Sequence, residues 1–151
     1  MTINAPATTL LAMYVAIADE RGIDRKDISG TVQNDILKEY MARGLYIFPP
    51  DSSMKLTTDL ISWCSSNLPK WNTMSVSGYH LREAGCNAEQ EIALSISNGL
   101  YYIRETIKSG LEIDDFAPRI SFFFACHNNI LEEISKFRAA RELWYELINE
   151  E

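Results

Sequence analysis

No apolar run in this 151-residue chain approaches the ~20 residues that cross a bilayer, which leaves no candidate membrane span. Basic charge is short too. Fourteen Lys and Arg stand against 21 Asp and Glu, for a formal net charge of −7. That balance argues against a nucleic-acid backbone as partner, because such binders usually present a basic face. Cysteine is scarce, odd in number and dispersed: Cys64, Cys86 and Cys126 form no C-x-x-C pair and no zinc pattern. Reduced, mostly buried thiols are expected. Histidine is limited to His80 and His127. There is no internal repeat, low-complexity run or linker. Leu10 to Ala18 has the apolarity of a short signal-peptide core but lacks a basic flank, and Asp19, Glu20 and Arg21 continue it as a surface helix. A cytoplasmic location is the expectation.

What is there is an ordinary soluble composition, 46% hydrophobic and 23% charged, in a length that suits one domain with a real core. Small polar residues fill every second position of the strand-like stretches. Ser29, Thr31 and Gln33 alternate with Ile28, Gly30 and Val32; Thr73, Ser75 and Ser77 alternate with Met74, Val76 and Gly78; Arg119 and Ser121 alternate with Ile120 and Phe122. Strand side chains alternate faces, so each strand has one apolar face and one hydroxylated face. A wet antiparallel sheet would show the same alternation. Helical stretches of a dozen or more residues between the strands favour parallel strands instead, since antiparallel neighbours need only short turns. The fold class expected is α/β: a partial (β/α)8 TIM barrel, about half a barrel, with parallel strands and flanking helices. An ordinary barrel packs its interior with Val, Ile and Leu; one lined by Ser and Thr leaves room for a long polar ligand.

The periodicity predicts a helix through Leu10, Leu11, Tyr14, Val15 and Ala18, a strand near 28–33 and a short helix over 34–43. A loop at Tyr46 to Pro50 precedes a helix near 53–67 and a strand over 73–78. Helices over about 88–109 and 129–149 bracket an apolar strand at 119–125. Thr2, Ile3 and Asn4 have the pattern of a further strand stub. Lys38, Glu39, Glu132, Glu133 and Lys136 read as solvated helix faces. Half a barrel leaves open edges, so self-association or other chains are expected to cover the edges and one side of each terminal helix.

The stretch SGYHLREAG, residues 77–85, stands at the carboxyl end of a polar-lined strand, the end where parallel α/β folds bind ligands. A neutral imidazole there can donate one hydrogen bond to a carbonyl. This stretch resembles the methylmalonyl-CoA mutase family, the adenosylcobalamin-dependent acyl-CoA carbon-skeleton mutases. So do GTVQNDILKEYMARG (30–44), YIFPP (46–50), PKWNTMSVSGYH (69–80), FAPRISFFF (116–124) and KFRAARELW (136–144). The resemblance covers the chain in order, without evident gaps.

The resemblance implies an isomerase barrel with acyl-CoA threaded along its axis. It implies that His80 hydrogen-bonds the thioester carbonyl and that Tyr79 packs on the reacting carbons and helps drive cobalt–carbon cleavage. Thr31 and Gln33 would contact the acyl-CoA, Arg43 would pair with a substrate carboxylate, and Arg119 and Ser121 would hold the CoA portion. Ala42 is implied as a corrin backbone contact, with Arg43 and Glu83 also on the cofactor side. From the residues alone, Arg43 and Arg119 are equally surface ion-pair residues, Thr31 and Ser121 are hydroxyls that fit a barrel, and Glu83 is a first-turn helix acid favoured by the dipole.

FACHNN, residues 124–129, is closer to the isobutyryl-type and archaeal large subunits, which leaves the acyl group open. Met1 aligns with an internal methionine of the family barrel, so this stretch is expected to begin mid-barrel. The family's cobalamin module carries Asp-x-His-x-x-Gly, and neither His80 nor His127 sits in one; that domain is expected on another chain. Residues 1–151 are expected to form a single section of the substrate-binding barrel, inactive in isolation and completed by other mutase chains. The alternatives are a non-catalytic, self-associating fragment and a CoA-binding module.

Overall fold

Helices dominate where apolar residues recur at three- and four-residue steps. The structure, a computed structural model, describes residues 1–151. The longest helix is α4 (Ala88–Lys108), which starts at a reciprocal cap. The Asn87 side chain accepts the Gln90 N–H at 2.8 Å, and Gln90 Oε1 accepts the Asn87 N–H at 3.0 Å. Gly110, at φ +99°, lets the chain turn away after it. The other long helices are α1 (Ala7–Glu20), α2 (Pro50–Asn67) and α6 (Ile130–Ile148), with short turns α3 (Tyr79–Glu83) and α5 (Ile113–Phe116). Pro50 opens α2 rather than closing the preceding loop, because the first helical position needs no N–H donor. The helix expected over 34–43 is shorter: Asn34 is left-handed at φ 51°, and helical structure begins at Leu37, ending in a wide turn over Glu39–Arg43.

Four short strands run parallel. β1 (Ser29–Thr31) pairs with β2 (Lys70–Asn72), and β3 (Met74–Ser77) pairs with β4 (Ile120–Phe123). The two ladders are continuous through the backbone. Val32 N–H donates to Asn72 O at 3.2 Å, and Ser75 N–H donates to Gln33 O at 2.9 Å. On the far side of β1, Gln33 N–H donates to Met1 O and Asn34 N–H to Ile3 O. The expected stub is thus an extended segment bonded alongside β1. Strand neighbours follow chain order, the pattern of successive α/β units.

The hydroxylated face is real, with one correction. Ser29 and Thr31 register with Lys70 and Asn72, and Ser75 and Ser77 register with Ser121 and Phe123. The outward positions therefore change parity between Asn72 and Ser75. Thr73 sits at that slip, is buried beside Met74, and does not belong to the wet face. The opposite face packs on helices. One apolar cluster joins Leu11 and Val15 of α1 to Val32, Leu60 and Trp71. A second joins Ile61, Met74, Val76, Tyr102, Ile103 and Phe116. Gly30 is required there, since a Cβ would lie 2.6 Å from the Trp71 ring.

The outer helices are only half covered. Met13, Tyr14 and Ile17 of α1 and Ile130, Leu131, Ile134 and Tyr145 of α6 are exposed. In α1 the expected stripe is rotated: Leu11, Val15 and Ala18 are buried, but Leu10 and Tyr14 are not. Of the thiols only Cys64 is buried, and Cys126 is exposed. No helix is long and apolar enough to cross a membrane.

Candidate functional site at the carboxyl ends of the strands

The strands end in polar side chains that bond to one another. Gln33 leaves β1 buried, and its Nε2 donates to Ser77 Oγ at the end of β3, 2.8 Å away. Gln33 Oε1 accepts from Lys38 Nζ at 2.7 Å and from Asn4 Nδ2 at 2.9 Å. Asn4 also donates to Glu39 Oε1, while Lys38 lies 3.2 Å and Arg43 3.7 Å from the same oxygen. Beneath them Asp35 Oδ2 accepts the Ser77 N–H at 2.7 Å, and Tyr102 OH donates to Asp35 Oδ1 at 2.7 Å. Lys38 and Glu39 are buried, so their reading as a solvated face is overturned. The wide turn over Glu39–Arg43 folds them inward.

His80 stands on α3, which packs against that turn. Its Nδ1 is buried with no partner within the chain. Burial, then the positive charges of Lys38 and Arg43, depress its pKa to about 4 against the opposing pull of Glu39. The imidazole is therefore neutral near pH 7 and holds a single donatable proton. Tyr79, partly exposed, meets His80 edge-on at 5.2 Å and leans on Phe123 at 5.5 Å. Asp35 is pushed up by burial, against the bonds from Tyr102 and the Ser77 N–H.

Of the residues singled out in the sequence, Gln33, Ala42, Arg43, Tyr79, His80 and Glu83 gather at the strand ends and on the two turns that follow them. Arg43 and Glu83 project with partly exposed side chains. Thr31 and Ser121 lie farther down the wet face; Thr31 Oγ1 accepts from Asn72 at 3.2 Å and Ser121 Oγ donates to Met74 O at 3.3 Å. Arg119 precedes β4, at the opposite end, where its guanidinium donates to Pro69 O at 2.5 Å. Three parts of the cluster escaped the sequence reading. Asp35 and Lys38 lie within the 30–44 stretch but were given no role at the site, and Tyr102 looks like one more apolar position of α4.

A second buried charge cluster lies beside the site. Glu91 of α4 accepts the Ala125 N–H at 2.7 Å, and Lys136 of α6 donates to Ala125 O at 2.7 Å. Lys136 also lies 2.9 Å from Glu91 and 2.5 Å from Glu133, while Arg82 of α3 approaches Glu91 at 3.8 Å and Glu133 at 3.6 Å. Glu133 and Lys136 are thus buried partners rather than solvated ones. Together they tie α3, α4 and α6 to the end of β4. His127, on the loop after β4, lies 3.8 Å from Glu83. No group of three or more His, Cys, Asp or Glu residues is placed to hold a metal ion. A groove of about 550 Å³ lies between α1 and α2, away from these residues.

The family model described as methylmalonyl-CoA mutase matches residues 1–151. This chain belongs to the methylmalonyl-CoA mutase family. Similarity to individual mutases is high. The methylmalonyl-CoA mutase of Escherichia coli is 47% identical over 149 residues, covering 99% of this chain and 21% of that protein. The methylmalonyl-CoA mutase large subunit of Propionibacterium freudenreichii is 45% identical over 150 residues, with 99% and 21% covered. The probable mitochondrial methylmalonyl-CoA mutase of Caenorhabditis elegans is 49% identical over 150 residues, with 99% and 20% covered. The chain spans about a fifth of the length of these mutases.

Proposed function

We propose that residues 1–151 are a section of the catalytic barrel of an adenosylcobalamin-dependent acyl-CoA mutase, which rearranges the carbon skeleton of a CoA thioester once other chains complete it. The observation that carries this reading is the packing of α3, with His80 and Tyr79, against the turn that carries Arg43, at the carboxyl ends of parallel strands. A long polar ligand lying along the wet face would meet the Thr31 and Ser121 hydroxyls, with Arg119 at the far end for the CoA portion. His80 would donate to the thioester carbonyl and stabilise charge that develops there. Tyr79, fixed between His80 and Phe123, would pack on the reacting carbons. Arg43, anchored to the buried Glu39, presents a cation suited to a substrate carboxylate.

The residues present fit an edge of the cofactor site. The wide turn carries Ala42 and Arg43 and continues into the exposed apolar run Leu45, Tyr46, Ile47 and Phe48, a surface suited to a flat ring system. Glu83 is open on the adjacent turn. Bound adenosylcobalamin would supply the radical that starts the rearrangement. This chain's share is to position the thioester, hold one proton at His80 and keep water from the reacting carbons. Completion by other chains is supported by the exposed apolar sides of α1 and α6.

The test is recovery of the chain from its native lysate with every co-eluting polypeptide identified, followed by assay with adenosylcobalamin and methylmalonyl-CoA or isobutyryl-CoA. Turnover in the complex and none by the chain alone is expected. In that complex His80→Ala should slow rearrangement by roughly 10²–10³, the scale of one lost oxyanion-type donor. Recovery of a self-associated chain that turns over neither thioester would refute the enzymatic reading in favour of a non-catalytic fragment.

A further inference from the structure

Gln33 has an amide whose two ends are chemically opposite, and only one orientation is useful to a ligand that presents carbonyls. An amide can flip at little cost unless its neighbours forbid it. Here the neighbours are unequal. Two donors, the Lys38 ammonium at 2.7 Å and Asn4 Nδ2 at 2.9 Å, converge on Oε1. A flip would aim the NH2 group at a buried ammonium, replacing a charge-assisted bond with a donor–donor contact. Nε2 therefore faces Ser77, to which it donates one N–H, and its second N–H has no partner within the chain. Lys38 is itself fully buried and held by Glu39, which in turn holds Arg43. A buried lysine costs several kcal/mol to desolvate; pairing with the equally buried Glu39 offsets part of that cost, and the ammonium's remaining short contact is the one to Gln33.

We propose that Lys38 is a positioning residue: its buried ammonium fixes the Gln33 side-chain amide so that the free N–H is offered to a carbonyl of the acyl-CoA. The identity of that carbonyl's owner rests on the mutase reading; the orientation of the amide does not. Lys38 acts on His80 as well. The charged groups facing the imidazole from the Lys38–Arg43 turn are Lys38, Arg43 and Glu39. On its own helix Arg82 is drawn to Glu91 and Glu133, and Glu83 faces His127. Removing Lys38 removes one of the two cations that disfavour protonation of His80.

The test uses the full 151-residue chain, labelled with ¹⁵N, with the Gln33 amide assigned through Gln33→Glu. In the unsubstituted protein the Lys38 ammonium should be visible as a slowly exchanging signal with contacts to Gln33. In Lys38→Met the Gln33 NH2 signals should shift and exchange faster, and the His80 titration midpoint should rise from about 4. Trp71 signals should stay in place, which separates loss of positioning from unfolding. A Lys38 ammonium that exchanges freely with water in the unsubstituted protein overturns the proposal, whether or not the variant folds. So does a folded Lys38→Met in which neither Gln33 nor His80 moves. Propionyl-CoA added to both proteins tests the ligand separately. Movement of the Gln33 signal in the unsubstituted protein, with binding weakened roughly tenfold in Lys38→Met, supports both readings. No response to propionyl-CoA by the labelled chain held in its completed complex, with the Lys38→Met shifts intact, leaves the orientation of the amide standing, overturns its offer to an acyl-CoA carbonyl and counts against the mutase reading.

Discussion

Lys136→Met should be among the most damaging single substitutions in this chain. The side chain is buried, and its ammonium is shared between Glu91 at 2.9 Å, Glu133 at 2.5 Å and the Ala125 carbonyl at 2.7 Å. Methionine fills most of the volume and supplies no charge. Two carboxylates are then left with Arg82 as their one cation, no closer than 3.6 Å, and the Ala125 carbonyl loses its donor. Breaking a buried ion pair by removing one partner costs about 3–5 kcal/mol, a large share of the 5–15 kcal/mol typical of a domain. The comparison is Lys55→Met, which removes an exposed pair to Asp59 on α2 and should cost no more than about 0.5 kcal/mol. Urea unfolding at pH 7 measures both. Burial pushes Lys136 down, but Glu133 and Glu91 outweigh it and its pKa is raised. That contribution is complete below the ordinary lysine value and fades only as pH rises through the higher folded one. Burial pushes Glu133 up, but Lys136, the His127 N–H and Arg82 outweigh it, and its pKa is lowered. Its share is complete above the ordinary carboxylate value and fades as pH falls, so pH 7 lies on the plateau of both. Adding Glu133→Gln to Lys136→Met should return part of the loss, about 0.5–3 kcal/mol. A Lys136→Met protein with the same urea midpoint as Lys55→Met would refute the argument.

Stability should fall as pH drops from about 6.5 to about 4, because unfolded His80 takes a proton that the folded imidazole refuses. Allowing for the partial exposure of the ring, the loss is about 1–2 kcal/mol, and His80→Gln should flatten that part of a pH-stability curve. Tyr102→Phe should cost about 1–3 kcal/mol in urea, since its buried hydroxyl donates to Asp35 and accepts the Leu37 N–H. Iodoacetamide at pH 8 should label the exposed Cys126 first and leave Cys64 untouched, because burial pushes the Cys64 thiol up to about 12; peptide mass mapping after brief exposure would show otherwise if Cys64 were accessible.

The alternation of Ser29, Thr31 and Gln33 against Val32 and Ile28 told the direction of the wet face because strand geometry alone sets that pattern. It misled at Thr73, where a parity slip between two short ladders puts the hydroxyl inside; slips are set by neighbouring strands and leave no local trace. The burial of Lys38, Glu39, Glu133 and Lys136 was hidden for a related reason. Charged residues at helical spacing look solvated until a second element closes over them, and here the closing partner lies 35 residues away for Glu39 and 45 for Lys136. Tyr79, His80 and Arg43 were legible by resemblance, whereas Asp35 and Tyr102 support them through a contact 67 residues apart.

The uncovered sides of α1 and α6 make stability a shared quantity. Anything that seats on Met13, Ile17, Ile130, Leu131 and Ile134 binds the folded chain and finds no such surface on the unfolded one. By mass action it adds about 2.7 kcal/mol at a hundredfold excess over its dissociation constant. The melting point of this fold is therefore a reading of how much cover is present as well as of the chain itself.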